Sequence, residues 1–348
     1  MKITGLGYIG LTATDLDAWR TWATNVVGFS IEDPTPGVSS LAADEVRHPD
    51  ALYLRMDDRR QRIVVYPGDE DGFAYVGWEL QGRIHWEDAL AKLDACKYPY
   101  TVASENEALE RGVQGMAWLI DPAGYRHELF YSAYYMEDSF ESPCRPMREG
   151  FRTDNGIGHI VLIVPQFSQE LDQFAARILG MTNFAGGVSI PNKSTIAGDD
   201  GRVRTEMYRG ELNQIVHNFV YMEKAGCAGI HHIGLEFGHL DDLGRCYDRV
   251  LAKCKDKLIM TLGRHQADTN ISFYVSSPSR VIFEIVYGSE LIPNDKLVAQ
   301  RPLHSFAWGL KQVGPVLQDH LLIANQKRRC QPVPSSPALA AEQADVAA

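Results

Sequence analysis

Short apolar segments separated by polar turns run through the first 290 residues and predict a fold rich in β-strands. The first segment, 5–12, is apolar and strand-like. Thr14 or Asp15 then caps a predicted helix that runs to about Val27 and ends at Gly28. Three more strand-like runs follow, at 39–42, 52–56 and 62–66. The pattern therefore predicts one β-α-β-β-β unit.

The same order of elements is predicted three more times along the chain. The second unit has strands at 74–80, 116–120 and 126–131 and a helix at 86–93, with one strand not visible. The third has strands at 158–164, 202–208 and 215–222, with a helix from Ser168 to about Leu179. The fourth has strands at 230–237, 271–275 and 281–287 and a helix at 241–253.

Matching landmarks indicate that the chain holds two copies of one domain. Gly7-Tyr8-Ile9 parallels Gly158-His159-Ile160 at an offset of 151, and Tyr75-Val76-Gly77 parallels His232-Ile233-Gly234 at 157. Asp121-Pro122 with Glu128 parallels Ser277-Pro278 with Glu284 at 156. The alternative is chance similarity between short apolar strands. If the repeat is real, the first copy has tyrosines where the second has histidines, so we expect only the second to keep a metal site.

The repeat sets the predicted domain boundaries. We expect an N-terminal domain at 1–135, a linker at 136–153 and a C-terminal catalytic domain at 154–292. A C-terminal extension at 293–326 follows, with a final strand or edge segment near 303–308 and a short helix near 316–325. Residues 327–348, which are rich in Pro, Ser and Ala, are expected to form a disordered tail.

Composition removes several classes of function. The net charge of −11 argues against nucleic-acid binding, which requires basic surfaces. The chain has no apolar run of the roughly 18 residues that cross a bilayer and begins without the apolar core of a signal peptide. We therefore expect a soluble cytoplasmic protein that does not bind membranes. None of the six cysteines forms a CxxC pair, so free thiols are expected rather than zinc or redox motifs.

Histidines concentrate in the second half, where residue types and strand alternation suggest a metal site. Along 231–237 one face is apolar apart from His231, whereas His232, Gly234 and Glu236 share the other face. We therefore favour His232 over His231 as a ligand. With His159 and Glu284 it would form a two-histidine, one-carboxylate facial triad that suits Fe²⁺ and leaves three positions open. The alternative is that each histidine is a structural residue, although Glu284 lies in an apolar strand and would need a cation or a hydrogen-bonding partner.

Several motifs together resemble the type I extradiol ring-cleavage dioxygenases of the vicinal oxygen chelate superfamily, especially the 2,3-dihydroxybiphenyl 1,2-dioxygenase branch and its steroid-catechol relatives. The resemblance covers about residues 3 to 290. The motifs that carry it are Gly158-His159-Ile160-Val161, Ile230-His231-His232, Leu235-Glu236, Leu240-Asp241-Asp242-Leu243-Gly244, Thr261-Leu262-Gly263-Arg264-His265, and Ser272-Phe273-Tyr274 with Pro278 and Glu284.

The resemblance implies an α+β vicinal oxygen chelate fold of four β-α-β-β-β modules in two domains. It implies His159, His232 and Glu284 as ligands of Fe²⁺, with Mn²⁺ less expected. It implies His217 as the acid–base residue and His265 and Tyr274 as contacts of substrate and dioxygen. It places Val161, His231 and Asp268 at the substrate pocket. The expected reaction is extradiol cleavage of a substituted or polycyclic catechol by dioxygen in aromatic catabolism, by a homo-oligomer.

Some positions depart from the family pattern and leave alternatives open. The family prefers Gly or Pro where Arg280 stands, and Ala267 and Ser277 are also atypical. Arg204, Arg209 or Arg280 could face an anionic substituent, although solvated surface arginines are the more ordinary interpretation. The alternative functions are a glyoxalase-like isomerase with another divalent metal and a non-enzymatic protein that binds an aromatic ligand.

Overall fold

The computed structural model describes residues 1–32, 46–184, 188–191, 202–298, 306–314 and 322–323. Among these residues, the first half forms one sheet, which we call the N-terminal sheet, flanked by three helices. The strands are β1 (Ile3–Ala13), β2 (Ser30–Glu32), β3 (Leu52–Arg55), β4 (Ile63–Pro67), β5 (Gly72–Leu80), β6 (Thr101–Val102), β7 (Val113–Ile120) and β8 (Arg126–Ala133). The helices are α1 (Leu16–Trp22, continued by a π-turn at Ala23–Val27), α2 (Arg83–Cys96) and α3 (Glu105–Glu110).

The second half forms a larger C-terminal sheet. Its strands are β9 (Gly158–Val164), β10 (Thr182–Asn183), β11 (Val188–Pro191), β12 (Arg202–Arg209), β13 (Phe219–Glu223), β14 (Gly229–Phe237), β15 (Leu258–His265), β16 (Ile271–Ser276), β17 (Ile282–Tyr287), β18 (Phe306–Trp308) and β19 (Leu322–Ile323). Its helices are α4 (Gln169–Gln173, continued by a π-turn at Phe174–Ile178) and α5 (Leu240–Lys253). No helix in the described ranges is long and apolar enough to span a membrane.

Both sheets are built in the same order around a central antiparallel pair. The N-terminal sheet runs β2-β3-β4-β1-β5-β8-β7-β6, and the C-terminal sheet runs β10-β12-β13-β9-β14-β17-β16-β15-β18. In each, the two modules meet where their first strands pair, β1 with β5 and β9 with β14. This arrangement is the vicinal oxygen chelate fold, so the predicted fold class is confirmed.

The register of the C-terminal sheet brings the candidate ligands to one level. His159 on β9 lies opposite Gly234 on β14, and Gly234 lies beside Glu284 on β17. Tyr274 on β16 in turn pairs with Glu284. The apolar alternation of these strands buries their other face in the core, where Trp22 of α1 contacts Phe283 at a ring-centroid distance of 5.1 Å. Packing across both halves therefore holds the strands that carry the site.

Most predicted elements are confirmed to within a few residues, and both predicted helix caps are present. Asp15 accepts the backbone N–H of Ala18, and Ser168 accepts that of Leu171. Sequence periodicity missed β2, β10, β11, β15 and the short helix α3, although α3 has a capping box between Ser104 and Glu107.

Other predicted elements end differently or lie outside the described residues. The strand predicted from 215 begins only at Phe219, and Ile215 instead makes an isolated bridge with Leu291. The strand predicted at 39–42 and the tail at 327–348 lie outside the described residues. Within the helix predicted at 316–325, the described residues Leu322–Ile323 form a strand that pairs with β14, so the helix prediction is wrong there. The predicted domain boundaries stay a prediction.

Candidate metal centre and active site

Three neighbouring strands direct one histidine, a second histidine and a carboxylate to a common point. His159 Nε2 lies 2.9 Å from His232 Nε2 and 3.0 Å from Glu284 Oε2. His232 Nε2 lies 3.4 Å from the same carboxylate oxygen. All three side chains are buried. Space for this convergence comes from Gly234, because a Cβ atom there would lie 2.2 Å from the His159 ring.

A bulge in β14 orients His232 within this cluster. The pairing of β14 with β9 shifts register between Ile230 and His232, so strict alternation fails at His231. Ile230 therefore joins the apolar core together with Ile233. Unbroken alternation would have placed Ile230 on the same face as His232. His231 Nδ1 instead lies 2.6 Å from His232 Nδ1. This contact leaves His232 Nε2 free to point into the cluster.

The protonation states of the cluster suit a cation. Burial is the main cause that lowers the pKa of His232 to about 4, so its ring is neutral at neutral pH. Burial alone would raise the pKa of Glu284, but the charge of His265 and hydrogen bonds from three histidines hold that pKa well below its usual range. A neutral imidazole and an ionised carboxylate are the forms that bind divalent metals.

The geometry fits a divalent metal ion. One potential ligand atom from each of the three residues lies within 4.8 Å of the others, and in the described part of the chain this is the one such group of three. Two imidazoles and one carboxylate are the donor set of a facial triad, which suits Fe²⁺. The Nδ1 contact between His231 and His232 is the kind of outer contact that fixes the orientation of a metal-bound imidazole.

His217 lies directly beside the cluster. Its ring centroid is 4.7 Å from that of His159, and its buried Nδ1 makes no hydrogen bond with any described residue. Burial, followed by the effect of His159, lowers the pKa of His217 well below the usual value. His217 is therefore a neutral imidazole whose Nδ1 is unpaired among the described residues.

His265 and Tyr274 close another side of the cluster. His265 Nε2 lies 2.9 Å from Glu284 Oε1 and 3.0 Å from the Tyr274 hydroxyl. Burial and the nearby carboxylate of Glu284 raise the pKa of Tyr274 well above its usual value, so the phenol stays protonated. Phe306 of β18 packs against His265 at a ring-centroid distance of 5.4 Å. The C-terminal extension thus supports this wall of the site.

The remaining predicted pocket residues lie around the same centre. Val161 is buried on β9 and pairs with His232 on β14. Asp268 is buried in the β15–β16 connection, where its carboxylate accepts a hydrogen bond of 2.8 Å from Asn270. Asp268 also lines a cavity that reaches His159 and His217.

The three arginines considered as substrate contacts occupy different environments. Arg209 is buried and donates to the carbonyl of Ile292 at 2.7 Å, so it is neither a surface arginine nor free to bind an anion. Arg204 pairs with Glu206 at 3.0 Å. Arg280 is exposed and has a left-handed φ of 61°, which explains why Gly suits this turn position in the family pattern.

Sequence reasoning did not assign a role to Glu236 or Ser289, which line the same cavity as His217 and Asp268. Glu236 was already identified on the strand face of His232. Ser289 follows β17 in a polar turn and has no periodic signal of its own.

Fold and cluster together define a protein of the vicinal oxygen chelate class with a candidate metal site, and comparisons with known proteins narrow the class. The family model for dihydroxybiphenyl dioxygenase BphC D1 matches residues 6–48 and 41–68. Biphenyl-2,3-diol 1,2-dioxygenase of Sphingomonas paucimobilis is 36% identical over 305 residues, covering 85% of this chain and 92% of the relative. An iron-dependent extradiol dioxygenase of Rhodococcus jostii is 30% identical, covering 89% and 97%.

A solved structure agrees with these relatives. The structure described as BphC, a halotolerant catechol dioxygenase, superposes with a TM-score of 0.75 at 28% identity, covering 89% of this chain and 95% of that one. The chain therefore belongs to the extradiol ring-cleavage dioxygenases, and it is an oxidoreductase of aromatic catabolism.

Proposed function

We propose that the protein cleaves an aryl-substituted or polycyclic catechol next to its diol, using dioxygen and one Fe²⁺ ion held by His159, His232 and Glu284. The convergence of these three buried side chains is the observation that carries the proposal. Iron is favoured over manganese by the donor set and by the iron dependence named for the Rhodococcus relative. The biphenyl-diol relative supports a catechol that bears a second aromatic ring.

A divalent metal ion held by His159, His232 and Glu284 would supply open coordination positions and would lower the pKa of the catechol hydroxyls. The protein groups around it then have distinct roles. His217 is neutral and has a free Nδ1, so it accepts a catechol proton and later returns it. Tyr274 is protonated and donates a hydrogen bond to a substrate oxygen, while His265 orients the Tyr274 hydroxyl.

Neighbouring residues position the ligands and enclose the site. His231 holds His232 by its Nδ1 and thereby favours coordination through Nε2. Val161 provides an apolar contact beside the metal, and burial of the whole cluster excludes bulk water. Asp268 contributes a carboxylate at the edge of the pocket. The predicted homo-oligomer and cytoplasmic location stay predictions.

The test is oxygen uptake. The protein is reconstituted anaerobically with Fe²⁺ or Mn²⁺ and is then mixed with oxygen and one substrate at a time. The substrates are simple, biphenyl-type, carboxylated and steroid-derived catechols and a dihydroxynaphthalene. We expect uptake of one dioxygen per catechol and a yellow product, fastest with iron and a two-ring catechol. His217→Ala should retain bound iron and slow turnover by about 100-fold or more, the scale of general acid–base catalysis.

Three results would contradict parts of the proposal. Turnover of His217→Ala at the parental rate removes the acid–base role. Absence of oxygen uptake with every catechol, combined with isomerase activity, identifies a glyoxalase-like enzyme. Catechol binding without any requirement for metal identifies a non-enzymatic binding protein.

A further inference from the structure

The cluster of His159, His232 and Glu284 divides the interior of the C-terminal sheet into an apolar end and a polar end. Strand register places Ile163 of β9 and Ile282 of β17 on one side of the cluster, where they share an apolar group with Tyr274. On the other side, β9 begins at Gly158 and β14 ends just past Glu236. An aromatic substrate held by the metal extends most favourably over the apolar side.

The polar end contains a narrow cavity that begins at the cluster. His159 and His217 form its inner wall, and Asp268 and Glu236 line it further out. Both carboxylates are almost fully buried. Gly158 and Ser289 also line this cavity and are only partly buried. The cavity therefore runs from the three-residue cluster toward the surface.

The predicted linker covers the outer part of this cavity. Arg152 Nη1 donates to Glu236 Oε1 at 2.9 Å, and the backbone N–H of Ser289 donates to the same oxygen at 2.9 Å. The guanidinium of Arg152 is itself partly exposed. Glu236 therefore lies between the Arg152 guanidinium, which reaches solvent, and the cavity, which reaches His159.

The two carboxylates have pKa values moved toward neutrality. Burial, the largest cause, raises the pKa of Glu236, opposed by Arg152 and Ser289. Burial also raises the pKa of Asp268, opposed by the charge of His265 and reinforced by Glu284. A carboxylate with a raised pKa accepts and releases protons at lower cost near neutral pH.

We propose that the polar cavity carries catechol protons from the metal centre to solvent, with Asp268 and Glu236 as the groups that accept and pass them on. The inference rests on the proposed function, because it requires a catechol that is deprotonated in the site. A substrate that fills the apolar end blocks that direction to water, so the protons leave at the opposite end. Each carboxylate gains a proton on its cavity side and releases one outward, so neither is consumed.

The experiment measures proton release directly, without turnover. Iron-loaded protein is mixed anaerobically with 2,3-dihydroxybiphenyl in a weakly buffered solution containing a pH-indicator dye, and release is followed by stopped flow. Asp268→Asn and Glu236→Gln remove a proton acceptor and keep a hydrogen-bond acceptor in place. Glu290→Gln is the control, since Glu290 is exposed beside Ser289 and does not line the cavity.

We expect each cavity variant to release protons about 10-fold more slowly or worse, within the range attributed to positioned proton-transfer groups. Iron content should stay at the parental value, and high concentrations of imidazole should restore part of the rate. The solvent isotope effect on turnover should rise in both cavity variants and stay unchanged in Glu290→Gln.

Parental release rates in both cavity variants, or equal slowing in Glu290→Gln, would overturn the inference. If Glu236→Gln fails to fold without its Arg152 contact, Asp268→Asn alone decides the matter. A purely structural role for either carboxylate predicts a lower Tm and no rescue by imidazole, which also counts against proton transfer. Oxygen uptake by the parent separates the two proposals, since a parent inactive with all catechols refutes the proposed function instead.

Discussion

The two sheets have the same plan, but they neutralise their buried carboxylate in different ways. In the C-terminal sheet His159 lies opposite Gly234 beside Glu284, and in the N-terminal sheet Tyr8 lies opposite Gly77 beside Glu128. The Arg111 side chain occupies the N-terminal counterpart of the candidate metal position. Arg111 Nε donates to Glu128 at 3.0 Å, and the Tyr8 hydroxyl donates to the same oxygen at 2.8 Å.

Tyr75, the counterpart of His232, accommodates this guanidinium by its ring face. The Arg111 Cζ atom lies 3.9 Å from the centroid of the Tyr75 ring, within cation–π range. Burial alone would raise the pKa of Glu128, but the charges of Arg111 and Arg126 hold that pKa below its usual value. A buried carboxylate at this position of either sheet thus requires a positive partner. The N-terminal sheet supplies Arg111 from its own chain, and we propose that the C-terminal sheet takes a metal ion from solution.

The largest expected effect is loss of metal from one sheet alone. His159→Ala should lower Fe²⁺ affinity more than the roughly 100-fold typical of losing an outer-shell partner and should abolish turnover, because two ligands remain. Tyr8→Phe, the matched change in the N-terminal sheet, should keep parental iron content and activity. Metal analysis after gel filtration measures both variants.

Full iron occupancy in His159→Ala would refute its assignment as a ligand. Reduced occupancy in Tyr8→Phe would instead show that the N-terminal sheet also contributes to metal binding, and the contrast between the two sheets would fail.

The next largest effect concerns Arg111, the positive partner of Glu128 in the N-terminal sheet. Arg111→Met leaves Glu128 and the adjacent Glu110 without their principal buried partner and should lower the free energy of unfolding at pH 7 by about 3–5 kcal/mol. The pKa of Glu128 lies below its ordinary 4.5 in the parent, so the ion pair stabilises above that pH and its contribution fades as pH falls further. The gap between variant and parent should therefore narrow below about pH 4.5 in urea unfolding.

The double variant Arg111→Met with Glu128→Gln tests the cause. If the buried charge is responsible, this variant should regain part of the lost stability, and a double-mutant cycle should show coupling between the two positions. A pH-independent gap, or simple additivity, would show that packing of the Arg111 side chain matters more than its charge.

The smallest effect compares two glycines that make room for the residue opposite. Gly234→Ala would place a methyl group 2.2 Å from the His159 ring, and Gly77→Ala would place one 2.3 Å from the Tyr8 ring. Both should cost about 1–3 kcal/mol of stability through overpacking. Only Gly234→Ala should also reduce iron affinity. Equal iron binding by the two variants would show that the His159 ring tolerates displacement.

Much of this comparison could be predicted from strand alternation and from the repeat. Alternation on β14 correctly separated His232 from the apolar face, since period-two patterning is a local property of the chain. The repeat offsets correctly related Tyr8 to His159 and Glu128 to Glu284, as the matching registers of the two sheets show.

Other features depend on contacts that no local pattern contains. Arg111 was missed because it follows a short helix, has no periodic signal and finds Glu128 only through the folded sheet. The bulge at His231 was missed because an extra residue appears only when two strands are paired. The strand β15 was missed because its polar residues, such as Arg264 and His265, interrupt its apolar alternation.

The guanidinium of Arg111 is covalently attached, so it cannot dissociate, be removed by a chelator or change oxidation state. Under the proposed function, a ferrous ion in the other sheet is exposed to all three losses. Chelation or oxidation should therefore silence the enzyme while leaving the N-terminal sheet folded, so that inactive protein remains a template for reloading. The duplication in this chain has separated a permanent scaffold from a replaceable reactive centre.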